Sequence, residues 1–436
     1  SKMFREYIGG GVNLPQRTWL TERSPFQNIA VPYLCRFPLS QHTGKPAVPC
    51  VKPGDTVTEG QIIAKADGEL SADIHTSVPG RVQGIDVVTT IRGERESAII
   101  IESRGGFPFF HQEKPLDWTI MNPTAIGAAI RSAGIVRLGG SPVPEHLRLP
   151  QKGDPSPEIL IINAIESEPY LTTAAAMLEH NPEPLVEGAG ILMRLTGVPK
   201  TVFAVDSRTG RRTVRKLHEL ISKHGLGHAV SVKKIPQVYP YGADVILADI
   251  IAHRRITPGD QPKKHGVLIE TAATVHAIYE AVTEHKPLYE RFITVSGRGI
   301  RKPGNYKIRL GTPLSHVIEE CGGLRRNDVV ILAGGPMRGK RVDSLDAPID
   351  KKVSALLFLD RKELNRRTVS ACIRCGSCID SCPMGLSPRE IFRAKKPDER
   401  ASRCIGCSVC SYVCPAGLDL AQAVLENMAH ARSARS

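Results

Sequence analysis

The cysteines of this chain are concentrated rather than scattered. Eight of the eleven fall in two near-copies of one pattern close to the end, CIRCGSCIDSCP from Cys372 and CIGCSVCSYVCP from Cys404. Cys372, Cys375, Cys378 and Cys382 follow C-x2-C-x2-C-x3-C-P, and Cys404, Cys407, Cys410 and Cys414 repeat it 32 residues on. Each run closes on a proline, Pro383 or Pro415. Three thiolates at that interval can wrap one corner of a cubane. The fourth, set apart by a longer gap and the proline, reaches a neighbouring one.

This is the spacing of bacterial two-cluster ferredoxins. It predicts two [4Fe-4S] clusters with crossed ligands: Cys372, Cys375, Cys378 and Cys414 on one, and Cys404, Cys407, Cys410 and Cys382 on the other. Zinc takes two pairs of ligands per tetrahedral site, which leaves the third cysteine of each run and the terminal C-P surplus. Thiols grouped for metal also argue against a disulfide framework and for a reducing cytoplasm. Paired clusters pass single electrons and make no bonds of their own, so no nucleophile or general base is expected. Cys35, Cys50 and Cys321 stand alone and read as buried free thiols.

At 436 residues the chain exceeds one core and predicts two to four domains. A formal charge of +14 calls for a solvated basic surface or a negative partner: an anionic membrane face, a nucleotide or an acidic protein. Nucleic acid is set aside, because neither Lys/Arg stripes interleaved with aromatics nor zinc-finger spacing occurs. No apolar run reaches eighteen residues, so no span is expected, and the opening SKMFREYIGGGVNLPQ is unlike a secretory signal. From Arg361 to Ser436, thirteen Lys/Arg face seven Asp/Glu, an excess that offsets negative clusters and suits an acidic redox protein or anionic headgroups.

The fold class expected is multidomain α/β, in four units. Residues 1–115 read as short strands between Pro-Gly turns, and VKPGDTVTEGQ with SVPGRV is similar to the barrel-sandwich hybrid of lipoyl and biotinyl carriers. Those carriers hold a modified lysine at a hairpin tip. Here the tip reads Leu70, Ser71, Ala72, Asp73, so a structural or docking module is expected. Residues 116–288 alternate buried-strand runs (EILIINAI, KTVFAVDS) with helical spacing, the grammar of a Rossmann-like α/β sheet whose ligands gather beyond the strand C-termini. Residues 289–365 read as a β-grasp unit resembling soluble-ligand-binding (SLBB) domains, and 366–436 carry the clusters.

An electron relay needs a source and a sink. SAGIVRLGGSPVPEHLRL holds glycines whose amides could approach a phosphate, although an ordinary turn explains them as well. Together the β-rich start, this glycine loop, NAIESEPYLT, YPYGAD, PGNYKIRLGTP, GGPMRG and the doubled cluster motif resemble the RnfC family, a component of the Rnf complex, an ion-pumping ferredoxin:NAD oxidoreductase. The central region of that family is related to the flavin subunit of respiratory complex I. The resemblance covers nearly the whole chain. It implies a peripheral electron-transfer subunit on the cytoplasmic face of the membrane. Its partners would be other Rnf-type membrane and iron-sulfur subunits, with ferredoxin or NADH as the soluble redox partner.

Family members bind FMN, and usually NADH, around G-x-G-G-A-G-F-P-T-x-x-K and N-x-x-E-x-E-P. By that resemblance Gly139, Gly140, Pro144 and Arg148 match the loop. Asn163, Glu166, Glu168 and Pro169 match the acidic segment, and Tyr241 and Gly242 match a third contact, with Asp244 in place of a usual glutamate. The departures are Ser141, Pro142, Val143 and Glu145 within the loop, and KKVSALL for a usual KGTSGIL. Pro142 removes an amide donor, Val143 removes a ring, and Glu145 adds a negative charge near a phosphate. These changes imply a flavin/NADH pocket that is weakened or lost, with the clusters as the working part; FMN held through Asn163, Glu166, Glu168 and the residual glycines is the competing reading. Two further alternatives are a free reductase similar to the cobalamin reductases, which usually begin near the glycine loop, and a noncatalytic assembly subunit.

Overall fold

The computed structural model describes residues 9–104, 115–364, 367–394 and 397–433; the opening eight residues of the segment read against a signal lie outside them. At the centre is a four-stranded parallel sheet in the order Val230–Ile235, Thr201–Asp206, Ile159–Ala164, Val267–Thr271. Ile159–Ala164 is buried along its whole length, as its ILIINA sequence requires of a strand covered on both faces. Phe203 stands opposite Ile162 and Val232, while Ile161 on the other edge faces Ile269.

Helices Pro123–Ser132, Glu183–Thr196 and Ala272–Thr283 form one core with the sheet. The first starts on Asn122, whose side chain accepts from the Thr124 amide at 2.8 Å, with proline at the first helical position. The helices Glu183–Thr196 and Ala272–Thr283 meet at Gly188, where a Cβ would lie 2.7 Å from the Val275 carbonyl oxygen. Chain order along the sheet reverses between Ile159–Ala164 and Val267–Thr271, and loops beyond the C-terminal ends of these two strands part there.

The N-terminal unit is a barrel-sandwich of a four-stranded and a three-stranded sheet closed over Phe37, Ile63, Val78, Ile99 and Ile101. Its lysine-free hairpin tip docks on the α/β unit. The Glu69 carboxylate pairs with Arg131 at 2.8 Å, and the buried Lys351 ammonium donates to the Asp73 and Gly134 carbonyls, each at 2.7 Å. The β-grasp sheet has six strands around Glu290–Ser296 and Ala355–Leu359, packed on helix Leu314–Glu320. Its edge strand, Phe26–Asn28, comes from far upstream and runs parallel to Asn305–Lys307.

The cysteine region is built from short helices, among them Ser377–Asp380 and Val409–Tyr412, against the longer Leu420–Ser433. Cys35 and Cys321 are buried, as expected of isolated thiols, whereas Cys50 is exposed, directly after the short strand Val48–Pro49 and ahead of the turn at Pro53 and Gly54. Among the described residues no helix is long and apolar enough to cross a membrane.

Candidate functional site

A cleft of about 1130 Å³ opens where the strand order reverses, between the glycine loop, the acidic segment, the GGPMRG turn and the second cysteine run. Gly139 and Gly140 adopt φ of 95° and 89°, a conformation that favours glycine. The loop is pinned from behind: the Leu138 amide donates to Thr274 Oγ1 at 3.0 Å, and Thr271 Oγ1 donates to the Leu138 carbonyl at 2.6 Å. It is also pinned from the side of the barrel-sandwich, where the Thr43 amide donates to the Pro142 carbonyl at 3.0 Å.

The acidic segment follows the buried strand. Asn163 Nδ2 donates to the Gly242 carbonyl at 2.8 Å, tying the strand end to the Tyr239–Asp244 loop. Glu166 accepts from the Ala175 amide at 2.9 Å near the start of helix Thr173–His180, and desolvation raises its carboxyl to about 7. Glu168 is buried and fully engaged. It accepts from the Met337 amide at 2.7 Å and the Arg338 amide at 3.2 Å, and it pairs with the Arg338 guanidinium at 3.2 Å. A Cβ on Gly335 would come within 2.3 Å of this carboxylate, so the GGPMRG turn is shaped to receive it.

Gly139, Gly140, Arg148, Asn163, Glu166, Glu168 and Gly242 therefore line one cleft, as does Asp244. Tyr241 does not. It lies in the hydrophobic core between the sheet and helix Asp244–Ala252, and Tyr239 takes the cleft-facing position. Tyr239 donates its hydroxyl to the Cys407 carbonyl at 2.7 Å, and Cys404, Ile405, Gly406 and Cys407 line the same cleft.

Among the cleft residues that escaped the sequence reading are Tyr239, Arg338, Arg137 and Glu270. Arg137 grips both carboxylate oxygens of Asp244 at 2.7 Å and donates to the Gly139 carbonyl at 2.9 Å, bridging two loops. The available signal was an arginine two residues before a Gly-Gly pair and an acid two residues after Gly242.

The cysteines assemble in two crossed groups. Cys372, Cys375, Cys378 and Cys414 surround one hollow, with Cys378 in the electrostatic field of Cys375 and Cys414. Cys407 and Cys410 lie in the field of Cys404 and Cys382. Burial, helped by the neighbouring sulfurs, pushes the thiols of Cys407 and Cys410 up to about 11 and about 12. Four thiols crowded in this way ionise together only around a cation, so both groups fit an iron-sulfur cubane. Donors to sulfur are present as well, from the Leu386 amide to Cys382 Sγ at 3.4 Å and from the Gly406 amide to Cys404 Sγ at 3.3 Å.

Four family models match stretches of the chain. Residues 6–106 match the RnfC barrel sandwich hybrid domain, 130–280 the Nuo51 FMN-binding domain, 292–341 the SLBB domain and 364–415 the 4Fe-4S dicluster domain. The RnfC-type component of the proton-translocating ferredoxin:NAD(+) oxidoreductase complex of Clostridium ljungdahlii is 34% identical over 87% of this chain and 82% of its own. The chain belongs to the RnfC family. Its counterpart in the ion-translocating oxidoreductase complex of Rhodobacter capsulatus is 34% identical over 88% of this chain and 74% of its own. That of the Na(+)-translocating ferredoxin:NAD(+) oxidoreductase complex of Acetobacterium woodii is 32% identical over 88% and 86%. The fold is shared with an NAD+-reducing [NiFe]-hydrogenase in the H2-reduced state, at TM-score 0.51 and 16% identity over 73% of this chain and 58% of that one.

As a member of the RnfC family, the chain is an electron-transfer component of an ion-translocating oxidoreductase complex. It carries a 4Fe-4S dicluster domain and an FMN-binding domain. Space and backbone donors in the cleft suit a flavin: the amides of Gly139, Gly140 and Ser141 have no protein acceptor among the described residues. Side-chain charge suits its phosphate poorly. Arg137 is matched by Asp244, and Arg148 by Glu270 and Glu145.

Proposed function

We propose that this protein relays single electrons between the cleft and neighbouring subunits of an Rnf-type complex through two crossed cysteine sites. The observation that carries the reading is the Tyr239–Cys407 contact. It sets the Cys404, Cys407, Cys410 and Cys382 site in the wall of the cleft, while Cys375 of the other site is exposed beside Ile373. Clusters in these sites supply one-electron transfer at potentials tuned by burial and by hydrogen bonds to sulfur.

The protein's part is positional. Tyr239 holds the Cys407 backbone, Glu168 and Arg338 lock the β-grasp turn against the cleft, and the Arg137–Asp244 pair fixes the glycine loop. Asn163, Glu166, Gly139, Gly140 and Gly242 would contact a flavin ring and its ribityl chain, with Arg148 nearest to its phosphate. The side-chain charges favour a weakened flavin/NADH pocket and a larger share of the work for the cluster sites. The units 1–115, 116–288, 289–365 and 366–436 serve respectively as docking module, flavin-type domain, β-grasp clamp and conductor.

The partners proposed are the membrane and iron-sulfur subunits of the complex and, on the soluble side, ferredoxin or NADH. The place proposed is the cytoplasmic face of the membrane, held peripherally, to which the basic cysteine region is suited. Anaerobic purification with iron, sulfide and flavin analysis, followed by NADH titration, tests the whole. Two clusters with substoichiometric flavin and slow bleaching by NADH are expected. Stoichiometric FMN with rapid bleaching would refute the weakened pocket.

A further inference from the structure

Two arginines line the cleft beside the glycine loop: Arg137 is bound to Asp244 and to the loop's own Gly139 carbonyl, and Arg148, the other that could meet a phosphate, is engaged as well. Its guanidinium donates to the Ile269 carbonyl at 2.6 Å and to Glu270 Oε1 at 3.1 Å, and it lies 3.6 Å from Glu145 Oε2. Glu270 is 3% exposed, its Oε2 is without a partner, and it lines the cleft. It immediately precedes Thr271, the N-cap of the twelve-residue helix Ala272–Thr283, whose Oγ1 accepts from the Thr274 amide. Ala272 and Ala273 at that helix start and Gly139 to Ser141 line the same cleft, and their backbone dipoles would draw an anion there. An anion is already fixed there: the Glu270 carboxylate.

We infer that Glu270 is a built-in counter-ion for Arg148 that occupies the electrostatic role of a flavin phosphate, making it the residue that sets this protein's selectivity against phosphorylated flavin. The inference rests on reading the cleft as a flavin site. Glu145 supports the arrangement differently. It is wholly buried, neither oxygen takes a hydrogen bond, and desolvation, followed by the nearby Glu270 charge, raises its carboxyl well above the usual range. Glu270, at 3.1 Å and hydrogen-bonded to the guanidinium, is therefore the principal counter-ion of Arg148, ahead of Glu145 at 3.6 Å. A phosphate entering this corner meets no net positive charge from the Arg148 group and a carboxylate that repels it, whereas the flavin ring and ribityl chain are unaffected.

The test is a fluorescence titration of the anaerobically purified full chain with FMN and with riboflavin. The wild type is expected to bind the two within about threefold of each other. Glu270→Gln keeps the shape and the acceptor for Arg148 and is expected to tighten FMN by about tenfold or more, the scale of one charge-assisted hydrogen bond. Riboflavin affinity and iron content should be unchanged, and Glu145→Gln should change little. The wild-type comparison needs no variant and stands even if Glu270→Gln fails to fold. A wild type that prefers FMN tenfold or more, or a folded Glu270→Gln that binds FMN no better, overturns the inference while leaving the flavin reading intact. Failure of every form to bind either flavin overturns both.

Discussion

The hydroxyl of Tyr239 donates to the carbonyl of Cys407 across 2.7 Å in a buried contact, joining the floor of the cleft to the backbone of a cysteine run 168 residues away. Tyr239→Phe leaves that carbonyl without its donor, at a cost of about 1 kcal/mol. The expected outcome is a changed low-temperature spin signal and midpoint potential for the site built on Cys404, Cys407, Cys410 and Cys382. The other site should be unaffected, and redox titration followed by spectroscopy separates the two.

The crossed grouping makes its own demand. Cys414 closes the site begun at Cys372, and Cys382 closes the one begun at Cys404. Cys414→Ser should therefore alter the signal that Cys375→Ser alters, and Cys382→Ser the signal that Cys407→Ser alters. Matching within a run instead of across runs would contradict the geometry.

An N-terminal strap reaches the same region. The Gly11 amide donates to the Ser381 carbonyl at 2.9 Å, and Val12 exchanges two hydrogen bonds with Tyr239 at 2.9 Å each. Gly10 has φ 79°, and a Cβ there would stand 2.6 Å from the Cys382 carbonyl oxygen. Gly10→Ala should destabilise the strap by about 1–3 kcal/mol and speed iron loss to a chelator, first from the site that Cys382 completes.

Much of this was legible because it is local. The crossed grouping of the cysteines follows from their spacing in two short runs, and the parallel sheet follows from runs such as ILIINA that can only be buried. Contacts between residues far apart in sequence were not legible. In YPYGAD both tyrosines look alike, and only the path of the loop turns Tyr239 to the cleft and Tyr241 into the core. Arg148 looks like a free phosphate ligand until Glu270, 122 residues on, is seen beside it. Phe26–Asn28 reads as part of the first unit, yet it pairs with strand Gly304–Arg309.

The docked hairpin tip yields a pH dependence. Lys351, His42 and His75 are buried near one another, with Asp73 the acid beside the amine and Lys352 adding to the field on His42. Burial lowers Lys351 to about 7. Burial and then the Lys351 charge lower His42 to about 4 and His75 to about 3. Unfolded, these groups protonate near 10.5 and 6.5, so between the folded and unfolded values the unfolded chain holds more protons and stability rises with pH. Their contribution to the melting temperature should fall as pH drops from about 6.5 towards 4 and climb from about 7 to 10. Lys351→Met should abolish the alkaline climb in melts recorded across that range.

The central claim is that two groups of four sulfurs hold two cubanes. Iron and acid-labile sulfide analysis of anaerobically purified protein, with low-temperature electron paramagnetic resonance after dithionite reduction, tests it most directly. The account predicts iron and sulfide for two [4Fe-4S] clusters and a spectrum of two neighbouring reduced centres. Zinc in their place, or no spin signal on reduction, would contradict it.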